Sequence, residues 1–204
     1  MDRLDTLLET AGPLLRRVDD VLAAGGAPPD HRVWGELRRV RLLPGDAAYA
    51  IAALRPAEFA GAVPELRADA RAYGRIAASL PPPTTWSGDA AAAYEAARSR
   101  TAGHLSGGED SLDERLEATA DLADALIDWM SRSRDDLAAT LAEILTSSEA
   151  LTLAAEAATN PPGPRDIQAA AGVAVRVLHA VADAYHRAED LLHSTADLTV
   201  TMPV

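Results

Sequence analysis

The feature that most constrains this fold is a repeated four-and-three spacing of apolar residues, which is cleanest over residues 165–194. In that segment the rhythm is kept by Ile167, Ala171, Ala174, Leu178, Val181, Tyr185, Ala188 and Leu192. Such spacing places the apolar side chains on one side of an α-helix that packs against other helices. Similar spacing recurs over residues 2–24, 59–80 and 112–144, and no long stretch alternates as a strand would. The sequence therefore predicts an all-α protein.

Proline and glycine clusters divide the helical segments. The breaks fall at residues 25–29, 81–83 and 160–164, and two further glycines occupy positions 107 and 108. Short breaks between long amphipathic helices favour antiparallel neighbours, so we expect a bundle of long antiparallel helices. Between the glycines at 107 and 108 and the break at 160–164, the pattern predicts a helical stretch from about 110 to 158. This stretch could bend near the polar residues 131–136.

The same breaks suggest a division of the chain into three parts. Residues 1–55 are predicted as an N-terminal helical region of shorter helices, and residues 56–194 as the main helical bundle. Residues 195–204 are predicted as a flexible C-terminal tail, because the regular spacing ends there.

Charge and composition exclude several functions. The formal net charge is −12, which argues against nucleic-acid binding, because phosphate contacts require a concentrated basic surface. The short arginine cluster at residues 38–41 is interpreted as a solvated helix face. The chain has no cysteine, so disulfides and thiolate metal sites are impossible. No run approaches about 20 apolar residues, and we expect neither a membrane span nor a secretory signal peptide.

One predicted helix–turn–helix corner carries an unusual sequence. Residues 81–94 read PPPTTWSGDAAAAY: the prolines end one helix and Ser87 is placed to cap the next. Trp86 lies on the turn, where its large ring needs a packing surface. Gly88 is expected to leave space for a close backbone or a neighbouring ring. Alternatively, Trp86 has no binding role and only packs at the end of the bundle.

This corner resembles the W-x-G turn of the WXG/ESX family of type VII secretion substrates, in which two helices meet at a Trp-x-Gly corner. Trp86 and Gly88 match the motif, and the small residues and the aromatic that often follow it are matched by Ala90, Ala91, Ala93 and Tyr94. The resemblance is best over residues 56–194. Small members of that family are about half this length, so the likeness is to its larger Esp- and PPE-like members.

A second motif lies near the end of the last predicted helix. Tyr185 and Glu189 are four residues apart, which places them one turn apart on the same side of the helix. They could present an aromatic ring and a carboxylate to a receptor, or could simply be a core tyrosine and a surface glutamate. The same family carries a Y-x-x-x-D/E signal at a similar place, and Tyr185 and Glu189 match it.

The resemblance implies a secreted or cell-surface protein that is made in the cytoplasm of an actinobacterium-like cell. It implies recognition by a secretion ATPase or chaperone of a type VII system, with Tyr185 and Glu189 as the signal and Trp86 and Gly88 as the companion corner. A homodimer or a WXG-like helical partner fits the same picture. The alternative is a cytosolic helical module, such as a chaperone or scaffold, that binds a partner.

No catalytic site, cofactor site or metal site is expected. No Ser/His/Asp grouping lies on a sharp strand–helix turn, and the glycine pairs lack a phosphate-binding context. His179, His186 and His193 recur every seven residues, but neighbours in such a row are about 10 Å apart along a helix and cannot share one ion.

About 100 residues separate the W-x-G motif from the Y-x-x-x-E motif, so the two motifs approach each other within one chain only if the loop at Gly107 and Gly108 reverses the chain.

Overall fold

The computed structural model describes residues 2–108, 110–155 and 161–199, with side chains in the last stretch described through Ser194. Every regular element in these ranges is an α-helix, which confirms the all-α prediction. The helices are α1 (Arg3–Gly25), α2 (Val33–Val40), α3 (Pro44–Ala52), α4 (Pro56–Phe59), α5 (Ala62–Ser79), α6 (Asp89–Leu105), α7 (Leu112–Leu145), α8 (Ser148–Ala155) and α9 (Pro164–Thr199).

The chain forms two compact units that differ from the predicted division. The first unit combines Met1–Arg55 with Asp128–Val204, and the second is Pro56–Ile127. The boundary after residue 55 coincides with the predicted one, but residues 56–194 do not form one bundle. The physical reason is that the second half of α7, together with α8 and α9, packs with the N-terminal helices. The helix α9 also continues past Ser194 into the predicted tail, of which residues 200–204 lie outside the described residues.

The first unit is built around α9. This helix packs against α1, α2, α3 and α8, so neighbours surround it on several sides. Fully buried positions in α9 therefore extend beyond the predicted stripe and include Val173 and Val177. Leu4, Leu15, Leu141 and other apolar side chains from α1 and α7 complete the same hydrophobic core.

Ion pairs show that α7 and α9 run antiparallel in the first unit. Arg176 of α9 lies 3.2 Å from Glu143, and Arg187 lies 2.8 Å from Asp136. Residue numbers therefore rise along α9 as they fall along α7. This arrangement agrees with the predicted bundle of long antiparallel helices.

A buried arginine joins α7 to both ends of the N-terminal region. The side chain of Arg134 is only 5% exposed and donates hydrogen bonds to Asp2 at 2.7 Å and Asp5 at 2.9 Å. It also donates to the backbone carbonyls of Ala52 and Leu54. The hydrogen bond from Arg134 lowers the pKa of Asp2 to about 2. The buried charge is therefore neutralised and its donors are used, as a buried ion requires.

The predicted stretch from 110 to 158 is interrupted, but not where the sequence suggested. The axis bends by 60° between α7 and α8, and residues 131–136 remain helical within α7. At the break, the Ser147 hydroxyl donates to the Ile144 carbonyl at 2.7 Å and accepts from the Ala150 N–H at 3.3 Å. Serine competes well for backbone groups and caps helix ends, so Ser147 ends α7 and starts α8.

The second unit contains an antiparallel pair, α5 and α6, joined by the Pro81–Pro83 connection. Arg67 of α5 lies 2.9 Å from Asp121 and 2.7 Å from Asp124, both on α7. The C-terminal half of α5 meets α6, since Leu80 accepts from Arg98. Ser106, just after α6, lies beside Gly74 of α5 and donates to Asp113 at the start of α7, whereas Asp121 lies beside Arg67. Residue numbers therefore rise from α6 into α7 as they fall along α5, so α6 and α7 both run antiparallel to α5. The Gly107–Gly108 loop therefore does not reverse the chain.

The second unit has a thin core. Among its described residues, the buried apolar side chains are Val63, Ala70, Ala77, Ala91 and Ala120. Four of these are alanines, which bury little area, and the leucines of its part of α7 remain half-buried.

Among the described residues, one helix has the length and apolar composition that a membrane span would need. This segment is Pro164–Ser194, and 61% of its most apolar window is buried inside the protein. The pair α7 and α8 meets the same criteria only if the bent pair is counted as one span. The core helix of a soluble bundle has the same properties, and α9 is the core helix of the first unit.

Candidate functional site

The corner that contains Trp86 is tied together by hydrogen bonds from α6 to the chain that leaves α5. The Tyr94 hydroxyl donates to the Pro81 carbonyl at 2.8 Å, and Arg98 donates to the Leu80 carbonyl at 3.4 Å. Arg98 also pairs with Glu95 at 2.5 Å, and this hydrogen bond lowers the pKa of Glu95. The first turns of α6 therefore fix the proline segment without a large apolar core.

Trp86 is held by an aromatic contact but is not buried. Its ring centroid lies 5.5 Å from that of Tyr94, and the two planes are inclined by 48°. Trp86 is nevertheless 47% exposed. The ring does not close the end of the unit as a buried plug would, because about half of it is open to a partner.

Gly88 occupies a backbone conformation that requires glycine. Its φ is 96° and its ψ is −171°, a region in which a side chain would be strained. A Cβ at this position would meet no atom within 4 Å, so the expectation that Gly88 makes room for a neighbour is wrong. Gly88 itself, and not Ser87, is the N-cap residue of α6 and makes no side-chain capping bond. Asp89 lies in the first turn, where a carboxylate is favourable.

Tyr185 and Glu189 lie on α9 where burial ends. Ala184 is 1% exposed, Tyr185 is half-buried and packs against the core, and Glu189 is exposed. The partly buried Tyr185 ring therefore lies one helical turn before the solvated Glu189 carboxylate. The Glu189 carboxylate lies 3.8 Å from the imidazole of His186, which is also exposed.

A tryptophan that the sequence did not single out supports this part of α9. The indole N–H of Trp129 on α7 donates to the Ala184 carbonyl at 2.8 Å, one residue before Tyr185. This bond ties α9 to α7 at the last buried position. The only signal in the sequence was an isolated tryptophan outside any motif, and such a residue does not reveal its acceptor.

The histidine row makes separate local contacts. His179 lies 3.3 Å from Glu36 and 3.5 Å from Asp183, and the His193 Nδ1 lies 2.7 Å from the Glu189 carbonyl oxygen. Among the residues that the structure describes, no group of three or more His, Asp or Glu side chains could hold a metal ion.

The structure places the two motifs in different compact units: Trp86 and Gly88 in the second, Tyr185 and Glu189 in the first. The described contacts of each motif lie within its own unit.

A hydrogen bond between α1 and α3 was also not predicted from the sequence. The Asp19 carboxylate of α1 accepts from the Gly45 N–H at 3.1 and 3.2 Å and so caps the first turn of α3. A Cβ on residue 45 would lie 2.3 Å from this carboxylate, so a larger residue would displace the Asp19 side chain from its present position. Burial raises the pKa of Asp19 to about 6. The hydrogen bond from Gly45 opposes this shift of the pKa, and the nearby charges of Asp46 and Asp20 add to it.

Comparisons of this chain with protein-family models, curated proteins and solved structures gave no match.

Proposed function

We propose that this chain is a substrate, or a secretion-associated helical protein, of a type VII (ESX-like) secretion system. Tyr185 and Glu189 form the signal that the secretion ATPase or a dedicated chaperone recognises. Trp86 and Gly88 form a companion surface. In this function the chain has no catalytic role and uses no cofactor.

The observation that carries the proposal is the position of Tyr185 and Glu189 at the end of the buried part of α9. A signal must be accessible while the rest of the protein stays folded. Glu189 is exposed and the Tyr185 ring is partly so, whereas Ala184 is buried and held by Trp129. A receptor could therefore contact both side chains without disturbing the core.

The Trp86 corner supports the same proposal. A half-exposed tryptophan at a turn offers a large apolar surface of the kind that often dominates a protein interface. Gly88 is required there by its backbone conformation, so the W-x-G pattern has a structural cause in this chain.

The experiment is an export assay on the full chain in cells with and without the secretion ATPase. We expect Tyr185→Ala and Glu189→Ala to accumulate inside the cell while the native chain is exported. Asp190→Ala is the matched control, because Asp190 is an exposed carboxylate one residue beyond the motif. Truncation after residue 182 is less informative, since it removes the buried Ala184.

Thermal unfolding of each purified variant must show that the fold is retained. Export of Tyr185→Ala at the native level, or export that does not need the ATPase, would contradict the proposal.

The thin core of the second unit favours one alternative, a cytosolic helical module such as a chaperone or scaffold. Half-buried leucines, including Leu116, Leu122 and Leu126, could gain burial against a partner helix, a second copy or a WXG-like chain. For this alternative we expect the native chain to stay in the cell lysate whether or not the ATPase is present.

A further inference from the structure

A cleft in the first unit, formed by the loop before α2 and by α2 itself, has no role in the proposed function. Its volume is about 740 Å³, which lies within the range of clefts that bind ligands. The lining residues include Pro29, Asp30, Arg32, Trp34, Gly35 and Arg38, so two arginines and one carboxylate face the cleft.

The loop that forms one wall of the cleft is held by specific hydrogen bonds. The Trp34 indole N–H donates to the Pro28 carbonyl at 2.9 Å, and the His31 N–H donates to the same carbonyl at 3.0 Å. His31 Nδ1 in turn accepts from the Val33 N–H at 3.3 Å. Trp34 remains 36% exposed, so a fixed aromatic surface faces the cleft. A preformed wall lowers the entropic cost of binding.

Gly35 keeps the cleft open. It lies within α2, where glycine costs up to about 1 kcal/mol relative to alanine. A Cβ at residue 35 would meet no atom within 4 Å, so packing does not require glycine there. A longer side chain would instead enter the cleft that Gly35 lines.

The charge of this surface is opposite to that of the chain. The formal net charge of the protein is −12, yet residues 30–41 carry four arginines against two carboxylates, Asp30 and Glu36, which gives this stretch a net charge of +2. Arg39 pairs with Glu36 at 3.0 Å, whereas Arg32 and Arg38 line the cleft with exposed side chains. Trp34 and Arg38 are four residues apart on α2 and so lie on the same side of the helix.

We infer that this cleft, named here the Trp34 cleft, docks an acidic linear segment of a partner protein that also carries an apolar or proline side chain. The guanidinium groups of Arg32 and Arg38 suit carboxylates, which they can bind through paired hydrogen bonds. The Trp34 ring suits the apolar side chain. Four arginines on an acidic protein are too few for the extended phosphate contacts of a nucleic acid.

The test uses two labelled synthetic peptides and the full chain. One peptide alternates glutamate with leucine and proline, and the other has glutamine in place of every glutamate. Fluorescence polarisation should show saturable binding of the glutamate peptide and much weaker binding of the glutamine peptide. Binding should weaken as salt is raised, because exposed charges are screened.

Three variants locate the binding site. We expect Arg38→Glu and Gly35→Leu each to weaken binding of the glutamate peptide by about tenfold or more, through charge reversal and through filling of the cleft. Arg16→Glu makes the same charge change at an exposed position of α1 and should leave the affinity nearly unchanged.

Several results would overturn the inference: equal binding of both peptides, equal losses in Arg38→Glu and Arg16→Glu, or unchanged binding by Gly35→Leu. Tighter binding of a single-stranded oligonucleotide or of anionic vesicles than of the glutamate peptide would also overturn it.

Discussion

The indole ring of Trp86 lies against the phenol ring of Tyr94, with 5.5 Å between the ring centroids. The Tyr94 hydroxyl is bound at the same time to the Pro81 carbonyl. Tyr94 thus connects both ends of the proline-rich corner, whereas Trp86 keeps 47% of its surface exposed. An aromatic pair and a hydrogen bond hold this corner in a unit with little buried area.

The contact between Trp86 and Tyr94 should be measurable as a coupling energy. In a double-mutant cycle with Trp86→Ala and Tyr94→Ala, we expect a coupling of about 0.5–1 kcal/mol, since a tilted aromatic pair contributes this much beyond area burial. Tyr94→Phe loses the hydrogen bond but keeps the ring, so Trp86→Ala should cost as much in that background as in the native chain. Urea unfolding provides the free energies. Fully additive effects of the two alanine substitutions would show that the ring contact contributes nothing.

Gly88→Ala should destabilise the second unit by about 1–3 kcal/mol, because alanine is strained at a φ of 96° and a ψ of −171°. Gly103→Ala is the matched control within α6, where an added Cβ meets no atom within 4 Å. There, alanine should be neutral or stabilising by up to about 1 kcal/mol. Hydrogen exchange of α5 and α6 compares the two variants. A neutral Gly88→Ala would mean that the turn relaxes without cost.

Removal of the Arg134 guanidinium should be among the most damaging single changes in the first unit. Arg134→Met leaves Asp2 and Asp5 without their buried partner, and it leaves the Ala52 and Leu54 carbonyls without this donor. We expect a loss of about 3 kcal/mol or more in the free energy of unfolding. Arg132→Met, which breaks an exposed pair with Asp128, should cost about 0.5 kcal/mol or less. Similar losses of unfolding free energy in Arg134→Met and Arg132→Met would contradict the stabilising role of the buried Arg134 contacts.

The pH dependence of stability should reflect two carboxylates with opposite shifts. The pKa of Asp19 is raised in the folded protein to about 6, so the folded state takes up a proton more readily than the unfolded state. The contribution of Asp19 to stability therefore rises as pH falls from about 6 to 4. The pKa of Asp2 is lowered to about 2, so its contribution is present above about 4 and is lost as pH falls toward 2.

Asp19→Asn should remove the first of these effects. Asparagine can still accept a hydrogen bond from the Gly45 N–H but carries no charge. We therefore expect the part of the pH dependence of stability between pH 4 and 6 that comes from Asp19 to disappear. At neutral pH the variant should gain about 1 kcal/mol, a value reduced because the carboxyl is only half-buried. Glu9→Gln, at an exposed position of the same helix, is the control. An unchanged pH profile in Asp19→Asn would exclude Asp19 as the titrating group.

The periodicity of α9 predicted its helical character but not its role as the central helix. A stripe at positions such as Ala174 and Leu178 indicates one packing face. Val173 and Val177, beside that stripe, are also buried because α1, α2, α3 and α8 surround the helix. Valine and alanine are tolerated on either side of a helix, so only the neighbours decide how much of it is covered.

The alanine-rich helix α6 shows more clearly that local sequence does not decide which face of a helix is packed. Its sequence allows several faces, since alanine fits any of them, and its contact with α5 selects the one that contains Ala91 and Arg98. Ala90 and Ala97, which follow the four-and-three spacing as well, are exposed. Arg98 is on the packed face because it bonds to the Leu80 carbonyl, an acceptor that no sequence pattern indicates.

The sequence by itself determined that the chain is all-α, where proline and glycine clusters separate the main helical segments, and which residues form the W-x-G and Y-x-x-x-E motifs, because periodicity and proline or glycine breaks act locally. Only the tertiary structure decided that residues 128–194 join the N-terminal region and that Arg134 pairs with Asp2 and Asp5. It also decided that the Gly107–Gly108 loop continues the chain direction. Those outcomes depend on contacts between residues that are distant in sequence, and local propensity does not encode which distant surfaces meet.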